Sequence, residues 1–149
     1  MMFVQIHGHE DLEYYWGSKL LRASEKGYPE IYDNGLHWVM FKDQLPIAYT
    51  TSIDCGDFAF VGNTYVREEY RKQGLHSQLL EYRNKNLGII DKLTIVNPIE
   101  NSKTEHLVKV IKRLGYKKVE KISDISDLMS DTRFYGIDIE DQDVWRLSI

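Results

Sequence analysis

Residues 66–80 have the sequence Val66-Arg67-Glu68-Glu69-Tyr70-Arg71-Lys72-Gln73-Gly74-Leu75-His76-Ser77-Gln78-Leu79-Leu80, and the predicted elements are arranged around this stretch. The apolar run Phe58–Val61 precedes it and predicts a strand, and the leucines after Gly74 recur at helical spacing. A basic turn with one glycine therefore joins a strand to the start of a helix. A helix N-terminus carries free backbone N–H groups and the positive end of the dipole, so this turn is suited to a phosphate or pyrophosphate.

Two well-known phosphate loops do not fit this turn. A P-loop needs Gly-Lys-Ser/Thr, and no such triplet follows at the required spacing. The dinucleotide fingerprint needs two further glycines after the first, and they are absent here. A plain basic turn, in which the glycine only allows the strand to pass into the helix, remains the alternative to a phosphate site.

The residues of the turn are more specific than its arrangement between a strand and a helix. The segment 71–76, Arg-Lys-Gln-Gly-Leu-His, resembles the pyrophosphate loop Q/R-x-x-G-x-G/A of the GNAT family of N-acetyltransferases. Arg71 and Gly74 match this pattern, whereas His76 stands where the family usually has glycine or alanine. Downstream, Leu114-Gly115-Tyr116 at the end of a helical run resembles the family's L-G-F/Y ending. The resemblance extends from about Leu36 to Tyr116.

This resemblance implies acetyl-CoA as the co-substrate. Backbone N–H groups of the loop would hold the pyrophosphate, and the pantetheine would run along the strand end like an extra strand. The implied cofactor-binding residues are Tyr65, Val66, Arg71, Lys72, Gln73, Gly74, Leu75, His76 and Ser77. The thioester would then lie between the strand of Tyr65 and the predicted strand 92–96.

The catalytic groups are less evident. No carboxylate lies between Phe58 and Val66, so the candidates are Asp54, acting through water, and Tyr65, acting as a hydrogen bonder. A solvated turn aspartate is the alternative interpretation of Asp54. In many members of the family a tyrosine four residues before the helix-ending glycine protonates the sulfur, but that position is Ile111 here. The general base and the general acid therefore stay open.

Composition limits the class of protein. The chain has 149 residues, 42% apolar content and a net charge of −4, which predict one soluble domain over residues 1–149 and argue against a nucleic-acid partner. Its apolar runs are too short to span a membrane, and the first residues lack the basic start of a secretory signal. One cysteine, Cys55, fits a reducing cytoplasm. His7 and His9 lack the companions that a metal site needs, so no metal is expected.

The order of predicted elements is β-α-βββ-α-β-α-ββ, an α+β fold with a mixed, mostly antiparallel sheet flanked by helices, as in the GNAT architecture. The predicted strands are 3–6, 36–42, 45–53, 58–66, 92–96, 117–122 and 133–139, and the predicted helices are 10–25, 75–86 and a third that opens at a capping box at 102–105. The tail 144–147 is expected to pack back or to pair with a neighbour.

The sequence thus predicts an N-acetyltransferase that moves an acetyl group from acetyl-CoA to a primary amine by direct transfer in a ternary complex. The acceptor would be a small molecule or a protein amine, with no nucleic acid or membrane partner. Two alternatives remain: a catalytically idle CoA-binding or sensor module, and a structural domain that binds no phosphate. The sequence leaves the acceptor and the oligomeric state, monomer or homodimer, undetermined.

Overall fold

The structure, a computed structural model, describes residues 2–17, 35–96, 102–125 and 143–148. The strands are β1 (Met2–His7), β2 (Leu36–Lys42), β3 (Leu45–Asp54), β4 (Phe58–Val66), β5 (Asp91–Val96), β6 (Lys117–Lys118) and β7 (Asp143–Leu147). The α-helices are α1 (His9–Trp16), α2 (Leu75–Leu87) and α3 (Ser102–Arg113), with short 3-10 helices at Glu68–Tyr70 and Ile122–Ile125.

The seven strands form one sheet in the order β1-β2-β3-β4-β5-β7-β6. Among the described strands β4 and β5 pair in parallel, and the other neighbouring pairs are antiparallel. The helix α2 makes the connection between these two parallel strands, as a crossover requires. The predicted α+β class and the predicted order of elements are confirmed.

The helices lie on both faces of the sheet. Leu12 and Trp16 of α1 pack against Val39, Phe41 and Tyr49 on one face, which we call the α1 face. The other face, the α2/α3 face, is covered by both remaining helices through two clusters. These clusters contain Trp38, Met40, Ala48, Leu75 and Leu79, and Ala59, Val61, Leu80, Val110 and Ile111. The middle of the sheet is therefore buried on both sides, which explains the long apolar runs of β3 and β4.

The hairpin between β2 and β3 follows the sequence prediction. Asp43 and Gln44 both have positive φ, 49° and 72°, as a two-residue turn of the primed type requires. Aspartate tolerates this left-handed region better than bulkier residues, because its short polar side chain can bond locally. The position of the Asp43-Gln44 turn between two apolar runs therefore sets how β2 and β3 pair next to it.

The first helix is shorter than predicted. The apolar spacing suggested a helix from Glu10 to Glu25, but α1 ends at Trp16. Gly17 has a φ of 80° and its N–H bonds to the Glu13 carbonyl, so the glycine caps the helix about two and a half turns earlier than the periodicity indicates. The predicted end at Gly27 lies outside the described residues.

The C-terminal strands also differ from the prediction. The predicted strand 117–122 is only the two-residue β6, and a 3-10 helix begins at Ile122. The segment 143–147, expected only to pack back or pair with a neighbour, is the strand β7 between β5 and β6. Its residues Val144 and Trp145 are buried on opposite faces, which makes β7 an inner strand. The predicted strand 133–139 lies outside the described residues, and Ser102, the predicted capping residue, is the first residue of α3.

Candidate functional site

The parallel strands β4 and β5 pair over a short length and then separate. Their ladder contains only the pairs Phe58–Asp91, Ala59–Lys92 and Phe60–Leu93, although both strands continue beyond it. From Val61 onward the edge of β4 that faces β5 has no ladder with it. We call the space between residues 61–66 and 94–96 the β4–β5 gap. An unpaired strand edge of this kind is a template for an extended ligand with amide groups.

A β-bulge interrupts β4 beside this gap. Thr51 pairs with Gly62 and Tyr49 pairs with Tyr65, so two residues of β4, Asn63 and Thr64, oppose the single Thr50 of β3. Asn63 has a φ of 54°, a left-handed conformation that asparagine tolerates. Bulges redirect side chains and are frequent beside active sites.

Gly62 lies where β4 leaves β5. A Cβ added to it would lie 3.9 Å from the Thr94 hydroxyl of β5 and 3.9 Å from the Phe60 ring. Both distances are ordinary van der Waals contacts, so a Cβ fits here and Gly62 lies close to β5. Sequence reasoning missed Gly62 and Asn63, although a Gly-Asn pair inside an apolar strand signals a bulge or a close backbone approach.

The predicted phosphate loop lies directly after β4. Gly74 adopts a left-handed conformation, with a φ of 76°, and α2 begins at Leu75 without a side-chain cap. The first intrahelical bond runs from the Gln78 N–H to the Gly74 carbonyl. The N–H groups of residues 75–77 therefore lie at the helix end without intrahelical acceptors. This is the backbone arrangement that binds an anion at a helix N-terminus.

Charged and polar side chains surround this helix end unequally. Arg71, Lys72 and Gln73 are exposed, and Lys72 has a φ of 62°. Arg71 is bent back towards β4: its Nε donates to the Val66 carbonyl at 2.8 Å, and its guanidinium lies 5.4 Å from the centre of the Tyr65 ring. The structure thus brings together the loop and the predicted strand-end residues.

Three of the predicted loop residues face inward to different degrees. Leu75 packs in the core against Ala48 and Leu79, so only its backbone is available to a ligand. Ser77 is half-buried. His76 is also half-buried, and burial first, followed by the charges of His106 and Arg83, lowers its pKa to about 4. It is therefore a neutral imidazole at physiological pH.

The two predicted catalytic residues lie at opposite ends of β4. Asp54 is exposed at the end of β3, and its side chain accepts the N–H of Gly56 in the following turn at 2.9 Å. It pairs with Ala59, far along the strand from the bulge. Tyr65 follows the bulge, and its ring lies 5.9 Å from that of Tyr49 on the α1 face. The structure places Tyr65 near the gap and Asp54 away from it.

A polar network lies on the α1 face of the bulge. The Nδ1 of His37, a fully buried side chain, is 2.7 Å from the Thr51 hydroxyl, and the Asn63 amide donates to the same hydroxyl at 3.3 Å. Another network lies on the α2/α3 face, where the buried Arg83 donates to the Thr50 hydroxyl at 2.6 Å. Sequence reasoning did not single out the second network, because an arginine in a helix is normally a surface residue.

The position of the family's acidic tyrosine is filled by packing. Ile111 is 2% exposed and lies in the cluster that joins α3 to Ala59 and Val61 of β4. Tyr116 is buried in the same cluster, as expected for an aromatic residue after the helix-ending glycine.

In the described ranges no group of three or more His, Cys, Asp or Glu residues is arranged to hold a metal. Nor does any helix there have the length and apolarity needed to cross a membrane.

Comparison with solved structures identifies the fold. A protein from Bacteroides thetaiotaomicron assigned to the GNAT family is similar to it with a TM-score of 0.66 and 19% identity, covering 99% of this chain and 87% of that one. The ribosomal-protein-S18-alanine N-acetyltransferase of Escherichia coli has a TM-score of 0.65 and 17% identity, covering 100% and 96%. Naa50 of Arabidopsis thaliana, in complex with the bisubstrate analogue CoA-Ac-MVNAL, has a TM-score of 0.60 and 15% identity, covering 98% and 99%.

The chain therefore has the GNAT fold. The sequence itself matches no protein-family model, and no curated protein is significantly similar to it. At these identities the similarity establishes the fold alone, so the activity has to be argued from the site.

Proposed function

We propose that this protein is an acetyl-CoA-dependent N-acetyltransferase that transfers an acetyl group to a primary amine in a ternary complex. The observation that carries the proposal is the coincidence of two features. The β4–β5 ladder ends at the pair Phe60–Leu93, and the chain that leaves β4 at Val66 leads to a helix start at Gly74 that has no side-chain cap. One feature suits the amide-bearing pantetheine arm, and the other suits the pyrophosphate.

In this proposal the cofactor follows β4 from its bulge to the loop. The N–H groups of residues 75–77 hold the pyrophosphate. The space beside Gly74 is open, since a Cβ added there would meet no atom within 4 Å. Arg71 and Lys72 supply positive charge, Gln73 and Ser77 supply polar hydrogens, and neutral His76 lines the groove. The backbone of Tyr65 and Val66 borders the pantetheine.

The chemistry is a direct acyl transfer. The lone pair of a neutral amine forms a C–N bond with the thioester carbonyl carbon, and the C–S bond breaks with its electron pair on sulfur. The amine nitrogen loses one proton to water or a base, and the thiolate then takes one proton from solvent. An alkyl ammonium with a pKa of ~10.4 must be deprotonated first. Tyr65 and, through water, Asp54 remain the proposed participants.

The acceptor arrives from the side opposite the loop. One similar protein is an N-acetyltransferase of a ribosomal protein, and another holds a CoA–peptide analogue. A protein amine is therefore as good a candidate as a small molecule, and a net charge of −4 mildly favours cationic acceptors. We place this activity in a single domain over residues 1–149 acting in the cytoplasm.

A second candidate is a CoA-binding module without turnover. Ile111 favours it, because an isoleucine cannot protonate a leaving sulfur. A thiol with a pKa of ~8.5 is nevertheless a fair leaving group without help, so slow transfer remains compatible with Ile111. The two candidates differ only in turnover.

Two measurements separate them. Calorimetric titration with acetyl-CoA tests the site, and release of free CoA in the presence of a panel of small amines and peptides with free N-termini tests the reaction. Binding with turnover supports the enzyme, whereas binding without turnover on any acceptor supports the idle module. If acetyl-CoA does not bind to the folded protein, both candidates are wrong and a structural domain is left.

A further inference from the structure

Arg83 of α2 is a buried cation among neutral partners. Its side chain is 2% exposed. One Nη donates to the Thr50 hydroxyl at 2.6 Å and the other to the Tyr116 hydroxyl at 3.4 Å, while Asn84 accepts from Nε and Nη2 at 3.2 and 3.1 Å. Within the described ranges no carboxylate pairs with this guanidinium.

The neighbouring charges do not compensate it. Lys92 on β5 is also buried, and burial first, then Arg83, lowers its pKa, while Asp91 acts in the opposite direction. The Lys92 ammonium donates to the carbonyls of Gly88 and Ile90. Asp91, the nearby carboxylate, is engaged by Arg146 at 3.2 Å. The described part of the region beneath β4 and β5 therefore has an excess of positive charge.

An excess of this kind is costly. Removing a charge from water without an opposite charge costs several kcal/mol, and for this reason burial lowers the pKa of Arg83. A sequence that only needed to fill this space would do so better with an apolar side chain. Ionisable groups with perturbed pKa values concentrate at functional sites, where a charge develops on a bound ligand or reacting group.

The hydrogen bonds of Arg83 lead to the bulge. Because the guanidinium donates to Thr50, the Thr50 hydroxyl must donate onward, either to the Thr64 hydroxyl at 2.8 Å or to the Gly62 carbonyl at 3.3 Å. When Thr50 donates to Thr64, the Thr64 proton is available to a further acceptor; when Thr50 donates to the Gly62 carbonyl, Thr64 donates to Thr50. Thr64 is half-buried, on the strand edge where β4 has left β5. A hydrogen-bonded chain therefore runs from a buried cation to Thr64, a residue of β4 beyond the end of the β4–β5 ladder.

We infer that Arg83 is a positioning residue which, through Thr50 and Thr64, stabilises the negative charge on the CoA sulfur as the acetyl group leaves. This inference rests on the proposed function and adds to it a source of leaving-group stabilisation. The electron pair of the broken C–S bond stays on sulfur, the Thr64 hydroxyl donates a hydrogen bond to it, and Arg83 supplies the compensating charge. The sulfur later takes its proton from solvent, so neither threonine nor arginine changes its protonation state.

The test is the pKa of the thiol of enzyme-bound CoA. It is measured as thiolate absorbance near 240 nm against the complex with desulfo-CoA, which has no thiol, over a range of pH. In the wild-type complex we expect a pKa at least one unit below that of free CoA titrated in the same way, which is about a tenfold larger thiolate fraction at pH values below both. In Arg83→Met and in Thr50→Val we expect the pKa to return upward by about one unit.

Controls separate this role from a structural one. Ser52→Ala removes another buried hydroxyl of β3, the one that accepts the Trp38 indole N–H at 2.9 Å, and should leave the thiol pKa unchanged. Arg83→Met should keep or raise the melting temperature, because apolar replacements of buried charges are often neutral or stabilising. It should lower kcat about tenfold with an unchanged KM for acetyl-CoA. Thr50→Val tests the relay with the guanidinium in place, whatever the folding of Arg83→Met.

The outcomes are distinct. A bound-CoA thiol pKa that is the same in wild type, Arg83→Met and Thr50→Val overturns the inference and leaves the proposed function intact. Failure of the wild-type protein to bind CoA in the preceding calorimetry overturns both. The ionisable groups of α2, α3, β5 and the turn after α3 that surround the network are Arg83, His76, His106, Lys92, Asp91 and Tyr116. They are common to all variants except Arg83→Met, so Thr50→Val isolates the effect of the relay.

Discussion

The Nε of Arg71 donates a 2.8 Å hydrogen bond to the carbonyl of Val66, five residues earlier in the chain. This bond ties the loop to the last residue of β4 and sets the guanidinium beside the Tyr65 ring. The same side chain therefore supports the strand end along which the pantetheine is proposed to lie and supplies charge to the loop.

Arg71→Ala is expected to weaken acetyl-CoA binding about tenfold, or ~1.4 kcal/mol, near the lower end of what hydrogen bonds to charged groups contribute. The remaining affinity should also depend less on salt, because one exposed cation is gone. Calorimetry at two salt concentrations measures both effects. Arg113→Ala, which removes an exposed arginine at the end of α3, is the matched control and should bind normally. Equal affinities for the two variants would remove Arg71 from the site.

Gly74→Val should abolish the rise in melting temperature that acetyl-CoA produces by mass action. Its φ of 76° makes any side chain strained, at about 1–2 kcal/mol, and the side chain would occupy the space proposed for the pyrophosphate. Gly56→Val is the control, since Gly56 has a φ of 85° in an exposed turn and an added Cβ there also meets no atom within 4 Å. Both variants should lose similar stability, and only Gly74→Val should lose the ligand-induced shift. A full shift in folded Gly74→Val contradicts the loop assignment.

Acidification from about pH 6.5 to pH 4 should destabilise the protein through His76. The folded imidazole stays neutral down to its lowered pKa of about 4, whereas the unfolded chain takes up the proton near its ordinary value of 6.5. The unfolded state therefore binds the extra proton in this window, and the free energy of unfolding falls with falling pH by up to about 3 kcal/mol. Urea denaturation at several pH values measures the slope.

His76→Gln should flatten this part of the pH profile. His106→Gln is the control. It removes an imidazole whose ring lies 5.5 Å from that of His76 and whose charge lowers the pKa of His76. In this variant the free energy of unfolding should still fall with falling pH, but over a narrower pH range. A slope in His76→Gln equal to that of the wild type would assign the effect to other groups.

Cys55→Ala should retain most of the transfer activity. The thiol is half-buried in the turn before β4, next to Asp54, and its Sγ lies 3.7 Å from the Ile53 carbonyl. Neighbouring negative charge disfavours a nucleophilic thiolate, which fits direct transfer. Initial-rate kinetics should give intersecting double-reciprocal lines. Parallel lines, or an acetyl group found on Cys55 by mass spectrometry, would instead indicate a covalent intermediate.

Local sequence determined much of the fold and part of the candidate site. The bounds of β2 and β4, the turn at Asp43-Gln44 and the start of α2 after Gly74 all agree with prediction. These features depend on residues close in sequence. Such turns need residues that accept positive φ, and strands of this length are recognised by their β-branched and aromatic composition. The sequence by itself also determined which residues form the basic loop, whose role in binding the cofactor remains a prediction.

Tertiary structure decided the rest. The place of β7 between β5 and β6 depends on burying Val144 and Trp145 on two faces at once, and a five-residue segment does not specify its partners. The β4–β5 gap exists because two strands distant in sequence pair over three positions and then part. Arg83 looks like a surface residue in a helix, and only the sheet packed against that helix makes it a buried cation, because burial is a property of the assembled layers and not of local sequence.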